Sequence, residues 1–100
     1  MLDNSKIVFE ERYDSEEYKT TTFYFIAPKE LVCAKYPEAE HTEICIECPT
    51  VAIESYYASV MFSPVRYSEE ECGFVDYDWF DVSLTYGEID SLIDLALNNN

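Results

Sequence analysis

Glycine is nearly missing from this 100-residue chain: it occurs twice, at Gly73 and Gly87. A phosphate-cradling loop needs several closely spaced glycines, and neither that pattern nor a nucleophile elbow is present. Histidine occurs once, so any Cys–His or Ser–His pair would have to use His41. Positive charge is the next shortage. Six Lys and Arg stand against 21 Asp and Glu, and no Lys or Arg follows Arg66. Phosphate contacts need a basic patch, so direct nucleic-acid binding is disfavoured, and so is an anionic membrane surface. No apolar run approaches the ~20 residues of a membrane-spanning helix. Met1-Leu2-Asp3-Asn4 does not read as a signal peptide. A cytoplasmic protein is expected, with its four cysteines as reduced thiols.

What is present argues for a folded globule. Hydrophobic residues make up 48% of the chain and aromatics 16%, whereas disorder goes with low hydrophobicity and few aromatics. The length fits one domain, 1–100, with a single modest core. The formal charge of −15 lies far outside the magnitude of about 2–8 that solubility asks of a small domain. Self-repulsion on that scale opposes compactness, so either a partner or an acidic, salt-rich setting selects for it.

The C-terminal stretch Cys72–Leu97 has the clearest pattern. Phe80, Val82 and Leu84 alternate with polar positions, as a half-buried strand requires. Thr85-Tyr86-Gly87-Glu88 reads as a capping box opening a helix. Ile89, Leu92, Ile93, Ala96 and Leu97 then form one apolar stripe. Upstream, Lys6–Tyr13 predicts a strand with Ile7 and Phe9 on one face, Asp14–Glu17 a turn, and Tyr18–Ala27 an interior strand rich in β-branched and aromatic residues. Pro28 opens a short helix near residues 29–36 with Leu31, Cys33 and Ala34 partly buried. Thr42–Cys48 alternates with Ile44 and Ile46 inward, and Pro49 ends it or places it at an edge. Val51–Tyr57 is ambiguous between strand and helical turn. Ala58–Phe62 is a strand that Ser63-Pro64 breaks, and an acidic loop follows at Ser68–Cys72. The fold class is α+β: a mainly antiparallel sheet with the C-terminal helix packed on one face.

Ser63-Pro64, Asp76-Tyr77-Asp78-Trp79 and Tyr86-Gly87-Glu88-Ile89-Asp90 with Leu92-Ile93 together resemble small uncharacterised acidic proteins of phages and mobile elements of Gram-positive bacteria. The resemblance covers about a third of the chain, implies the cytoplasm of a host bacterial cell, and transfers no active site.

Chemistry-bearing patterns are weak. Cys45-x-x-Cys48 with His41 offers ligands for tetrahedral zinc, but residues i and i+3 of a regular strand point to opposite faces. Asp76-x-Asp78-x-x-Asp81 lacks the Gly and terminal Glu of a calcium loop. Glu17-Tyr18-Lys19 matches the Glu-x-Lys of metal-dependent nucleases, whose polyanionic substrate a charge of −15 opposes. No cofactor and no enzyme activity are expected. The acid–aromatic segment is the better candidate, since local stability does not select its charges. Like-charged Asp90 and Asp94 lie four apart on a helix, and Asp94 sits near its C-terminal end. Asp76 and Asp78 share one face if the strand is regular.

The leading expectation is a non-enzymatic interaction protein binding a basic surface, in its sharp form a nucleic-acid-mimicking inhibitor of a DNA- or RNA-binding enzyme, of the anti-CRISPR or anti-restriction type. Its partner-binding residues are expected to be Glu69, Glu70, Glu71, Asp76, Tyr77, Asp78, Trp79, Asp81, Tyr86, Asp90 and Asp94. Alternatives are a small zinc domain using Cys45, Cys48 and His41, or an acidic accessory protein with no specific site.

Overall fold

The computed structural model describes residues 2–32 and 35–98. Its frame is an antiparallel meander in which each strand pairs with the next. In order these are β1 (Val8–Ser15), β2 (Thr20–Pro28), β3 (His41–Pro49), β4 (Ser59–Ser68) and β5 (Gly73–Asp76). A short strand, β6 (Phe80–Asp81), pairs with β4 on the edge that β5 also occupies. The helix α1 (Tyr86–Leu97) closes the chain. The domain is thus α+β, as the alternating and helical periodicities predict.

Facing residues of an antiparallel ladder share a face, so the register separates the two sides of the sheet. One side holds the rows Phe9–Phe25–Ile44–Phe62–Phe80 and Phe23–Ile46–Val60. Against it the helix buries Ile89, Leu92, Ile93 and Ala96, and Leu92 is fully enclosed. Ile89, Leu92 and Ile93 each contribute about 1.5–3 kcal/mol when fully buried, and Ala96 less. Leu97, at the end of the expected stripe, is instead 42% exposed, at the terminal turn of the helix. The capping box is formed in full: the Thr85 hydroxyl accepts from the Glu88 N–H at 3.1 Å, and the Glu88 carboxylate accepts from the Thr85 N–H at 3.1 Å. Glu88 also accepts from the Leu2 N–H at 3.1 Å, joining the chain's N-terminal segment to the start of the helix.

Several boundaries differ from the sequence expectation. Lys6 belongs to a 3-10 turn, Asn4–Lys6, and β1 runs on through Asp14 to Ser15. In place of the expected helix near residues 29–36 the described residues show 3-10 structure, Lys29–Leu31 and again at Lys35, with Leu31 exposed; Cys33 and Ala34 lie outside the described residues. Val51–Tyr57 resolves into turns ending in a 3-10 turn, Ser55–Tyr57.

The larger correction is that Ser63-Pro64 does not break its strand. β4 continues through both residues, with Ser63 opposite Glu43 and Pro64 opposite Thr42. Proline is tolerated inside a sheet only where its missing N–H is not needed. The Pro64 carbonyl accepts from the Tyr77 N–H at 3.0 Å, so its polar side faces the outer edge, where the ladder lapses between β5 and β6. The same lapse removes the regular strand on which Asp76 and Asp78 would share a face.

Candidate interaction surface

The side of the sheet away from the helix is open. Register places Glu11, Tyr24, Cys45, Met61 and Asp81 in one row across it. Glu43 lies in the next row between Ile26 and Ser63, and Glu47 beyond Cys45 between Thr22 and Ser59. Asp76, opposite Val65, joins them from β5. Glu10 comes from an irregularity in β1, where the register shifts between Phe9 and Glu11, and it reaches the same group.

Strand charge is segregated by face, apart from Asp14, which stands on the helix side beside Arg12. The two arginines carried on strands both stand on the helix side. Arg12 faces Phe23, with its guanidinium 5.6 Å from that ring's centroid. Arg66 faces Val75 and alternates with Val65 and Tyr67. Arg12–Asp14, at 3.1 Å, is the only ion pair among the described residues. Lys6 and Lys29 reach the rim of the open face, where they line a groove of about 480 Å³ with Val8, Ile26, Glu40 and His41.

Glu43 is the most unusual residue here, being 7% exposed on a face otherwise rich in carboxylates. Burial pushes its carboxyl up to about 8, reinforced by hydrogen-bond contact with Glu10 and by the nearby Asp76. The small Ser63 beside it leaves room for Asp76 to approach from β5. Neighbouring groups feel the same field. Burial first, then Glu47, Glu43 and Asp76, hold the Cys45 thiol up to about 11. The Tyr24 phenol is raised by burial and by Cys45, Glu43, Glu11 and Asp76. A thiol so held is not a reactive nucleophile, since the thiolate is the reactive form.

The residues expected from sequence to bind a partner are divided by the fold. Asp76 and Asp81 lie on the open face. Glu69, Glu70 and Glu71 are exposed in the turn between β4 and β5. Tyr77, Asp78 and Trp79 occupy the lapse between β5 and β6. There Tyr77 stacks on Tyr36 with centroids 5.5 Å apart, and Tyr36 donates its hydroxyl to Asp78. That hydrogen bond also raises the Tyr36 phenol. Asp78 is therefore committed to a loop contact away from Asp76. Tyr86 is 60% exposed and tilts against Tyr56 with centroids 6.1 Å apart. Asp90 accepts from the Ser55 N–H at 3.2 Å, an internal role that its helical spacing did not reveal. Asp94 is exposed on the helix, across the sheet from the open face.

Glu10, Glu11, Glu43 and Glu47 were not singled out, although one signal was present. In Thr42–Cys48, Glu43, Cys45 and Glu47 alternate with the inward Ile44 and Ile46, which puts them together on the opposite face. The potential zinc ligands do not converge. Cys45 is half-buried on the open face and Cys48 is buried on the core side. His41 meets the Phe74 ring at 5.8 Å. Among the described residues no group of three or more His, Cys, Asp or Glu is placed to hold a metal ion. No helix among them is long and apolar enough to cross a membrane. Comparison with protein-family models, curated proteins and solved structures found no match in any of the three.

Proposed function

We propose that this domain is a non-enzymatic interaction protein whose open sheet face binds a basic protein surface, in its sharpest form the nucleic-acid groove of a DNA- or RNA-binding enzyme. The observation that carries the reading is the segregation of charge: the strands present Glu11, Glu43, Glu47, Asp76 and Asp81 on one side and their two arginines on the other. Alternate residues along a strand are about 6.6 Å apart and neighbouring strands about 4.8 Å, so the carboxylates form a fixed two-dimensional array. Lys and Arg side chains that normally meet phosphates would meet these carboxylates instead. Tyr24 and the 60%-exposed Tyr13 add contact area and cation–π faces. Such complementarity steers association and makes it salt-dependent.

An acetylated octa-arginine peptide labelled for fluorescence anisotropy provides the test. Glu11→Lys with Glu47→Lys and Asp81→Lys should weaken binding by at least about a hundredfold, because charge-assisted contacts of about 1.5–3 kcal/mol each are lost and repulsion is added. The matched reversal in the turn, Glu69→Lys with Glu70→Lys and Glu71→Lys, should cost far less. Equal losses from both sets would mean that the peptide senses overall charge, and the face assignment would fall.

A further inference from the structure

We propose that two copies of this chain pair edge to edge through β1, antiparallel about a two-fold axis at Tyr13, with Arg12 of each copy opposite Asp14 of the other. Nothing in this pairing depends on what the open face binds.

β1 is a free edge of the sheet. Among the described residues its only strand partner is β2, and six of its eight positions are exposed. The opposite edge is short and interrupted, made of β5 and β6. The ladder fixes which backbone groups of β1 face outward. On β4 the Val60 and Pro64 carbonyls accept from the Val82 and Tyr77 N–H groups, so even-numbered residues there turn away from β3. Backbone groups of successive residues point to opposite edges of a strand. Carried back through the registers, Thr20, Thr22 and Tyr24 turn theirs toward β1. The Thr50 N–H donating to the Lys19 carbonyl at 3.0 Å agrees, since it sets the odd-numbered positions of β2 toward β3. Ser15, Tyr13 and Glu11 are therefore bonded to β2, and Arg12 and Asp14 present their N–H and C=O groups to the outside. Such a row is a template for another strand.

Side-chain charge selects the occupant and the register. A two-fold pairing must match outward residues with outward residues. Centred on Arg12, it sets Arg12 against Arg12 and Glu10 against Asp14. Centred on Asp14, it sets Asp14 against Asp14. Centred on Tyr13, each Arg12 meets an Asp14 on the helix side, while Tyr13 meets Tyr13 and Glu11 meets Ser15 on the open side. Opposite charges and aromatic pairs facing across a ladder are favourable, and like charges are not. The side chains suit this register. Within one chain Asp14 Oδ1 accepts from Arg12 Nε at 3.1 Å and from the Thr21 hydroxyl at 2.8 Å. That leaves Asp14 Oδ2 and the Arg12 Nη groups for the other copy, on side chains 51% and 41% exposed. Tyr13 is exposed as well. Beyond Ser15 the next pair would be Glu10 with Glu16, which ends the ladder at Glu11–Ser15.

The charge of −15 on each copy opposes association. At physiological salt it is screened over about 8 Å, less than the smallest extent of the domain, 25 Å. The axis stands perpendicular to the sheet, so both helices lie on one side and both open faces on the other. The pair carries two acidic arrays side by side on one continuous sheet, never face to face.

Sedimentation equilibrium of the full chain at about 0.15 M salt, where that screening holds, tests the pairing. The wild type should pass from one chain to two between about 1 μM and about 1 mM, the span of weak association. Arg12→Asp opposes carboxylate to carboxylate and Asp14→Arg opposes guanidinium to guanidinium, so each alone should self-associate at least about tenfold more weakly. Mixed in equal amounts, the two variants should recover the dimer, because every charge across the axis then meets its opposite. A wild type that stays monomeric overturns the proposal, as do single variants that dimerise like the wild type or a mixture that stays monomeric. Should either variant fail to fold, cross-linking decides. Tyr13→Cys puts a thiol on the axis, where facing Cα atoms lie about 4.5 Å apart, within reach of a disulfide. With Cys72→Ser removing the exposed native thiol, mild oxidation should yield a covalent dimer from Tyr13→Cys and none from Tyr18→Cys, which lies in the adjoining turn and is more exposed still. Equal cross-linking of the two, or none from Tyr13→Cys, refutes the register.

Discussion

Glu43→Gln is expected to flatten, and above neutrality to reverse, a loss of stability that the wild-type domain suffers as pH rises. The sign follows from where the proton is held. The folded protein keeps it to about pH 8, whereas an exposed glutamate in the unfolded chain loses it near the ordinary value of 4.5. Folding is therefore favoured by this group below the lower value, and the benefit disappears as pH climbs through the upper one. Each pKa unit corresponds to about 1.4 kcal/mol, so the full displacement would be worth close to 5 kcal/mol. Relaxation of the face and access of water at its edge reduce the expected loss between pH 5 and pH 9 to about 1–3 kcal/mol. Gln keeps the shape and stays uncharged at any pH. The assay is urea unfolding followed by Trp79 fluorescence at unit steps from pH 5 to pH 9 and constant ionic strength. The variant should lose less than half of what the wild type loses and be the more stable of the two at pH 9. Parallel curves would refute the buried-proton argument, as would wild-type stability that increases with pH. Below pH 5 both proteins should weaken. Hydrogen bonds from Ser5, Thr21 and Thr85 hold Asp3, Asp14 and Glu88 below their usual values, and that stabilisation is lost as pH falls through their folded pKa values. Maximum stability is thus expected at mildly acidic pH.

Thr85→Ala removes the hydroxyl that caps the Glu88 N–H and should cost about 1 kcal/mol in the same unfolding assay, more than substitution of the exposed Ser83 nearby. Cys72 adopts φ 56° in the turn between β4 and β5, a left-handed conformation that suits glycine, so Cys72→Gly should raise stability by up to about 1 kcal/mol. Leu92→Ala, at the centre of the helix–sheet contact, should cost about 2–5 kcal/mol and shift the thermal midpoint downward by many degrees. Chelator should leave that midpoint unchanged, because Cys45 and Cys48 stand on opposite faces; a large drop would show a structural metal that the ladder geometry does not accommodate.

Local chemistry made most of the fold legible. β2 follows from its β-branched and aromatic content, β3 from period-two patterning, and α1 from its stripe and capping box, because those signals depend only on neighbours in sequence. Pro64 misled for the opposite reason. Whether a strand survives a proline depends on which edge its missing N–H faces, and that is settled by Tyr77, thirteen residues further along the chain between β5 and β6. Asp78 and Asp90 read as spare charges until Tyr36 and the Ser55 N–H supplied their partners. The open face was half visible. Alternation in Thr42–Cys48 reveals that Glu43, Cys45 and Glu47 share a side. It does not reveal that Asp76 joins that face from β5, or that Glu43 alone among its carboxylates is buried.

The meander has a consequence for how the chain is made. From β2 to β5 every strand pairs with the one synthesised just before it, and β6 returns to β4, so the sheet can assemble largely hairpin by hairpin as the chain lengthens. Its helix is last. Until Ile89, Leu92, Ile93 and Ala96 arrive, Phe23, Phe25, Ile44 and Phe62 lie on a bare apolar sheet, and the tie from Leu2 to Glu88 cannot form. The nascent domain is most adhesive just before its final element emerges. At that moment the acidic opposite face keeps neighbouring copies apart by repulsion, so the same charges that suit a basic partner protect the unfinished sheet from its own kind.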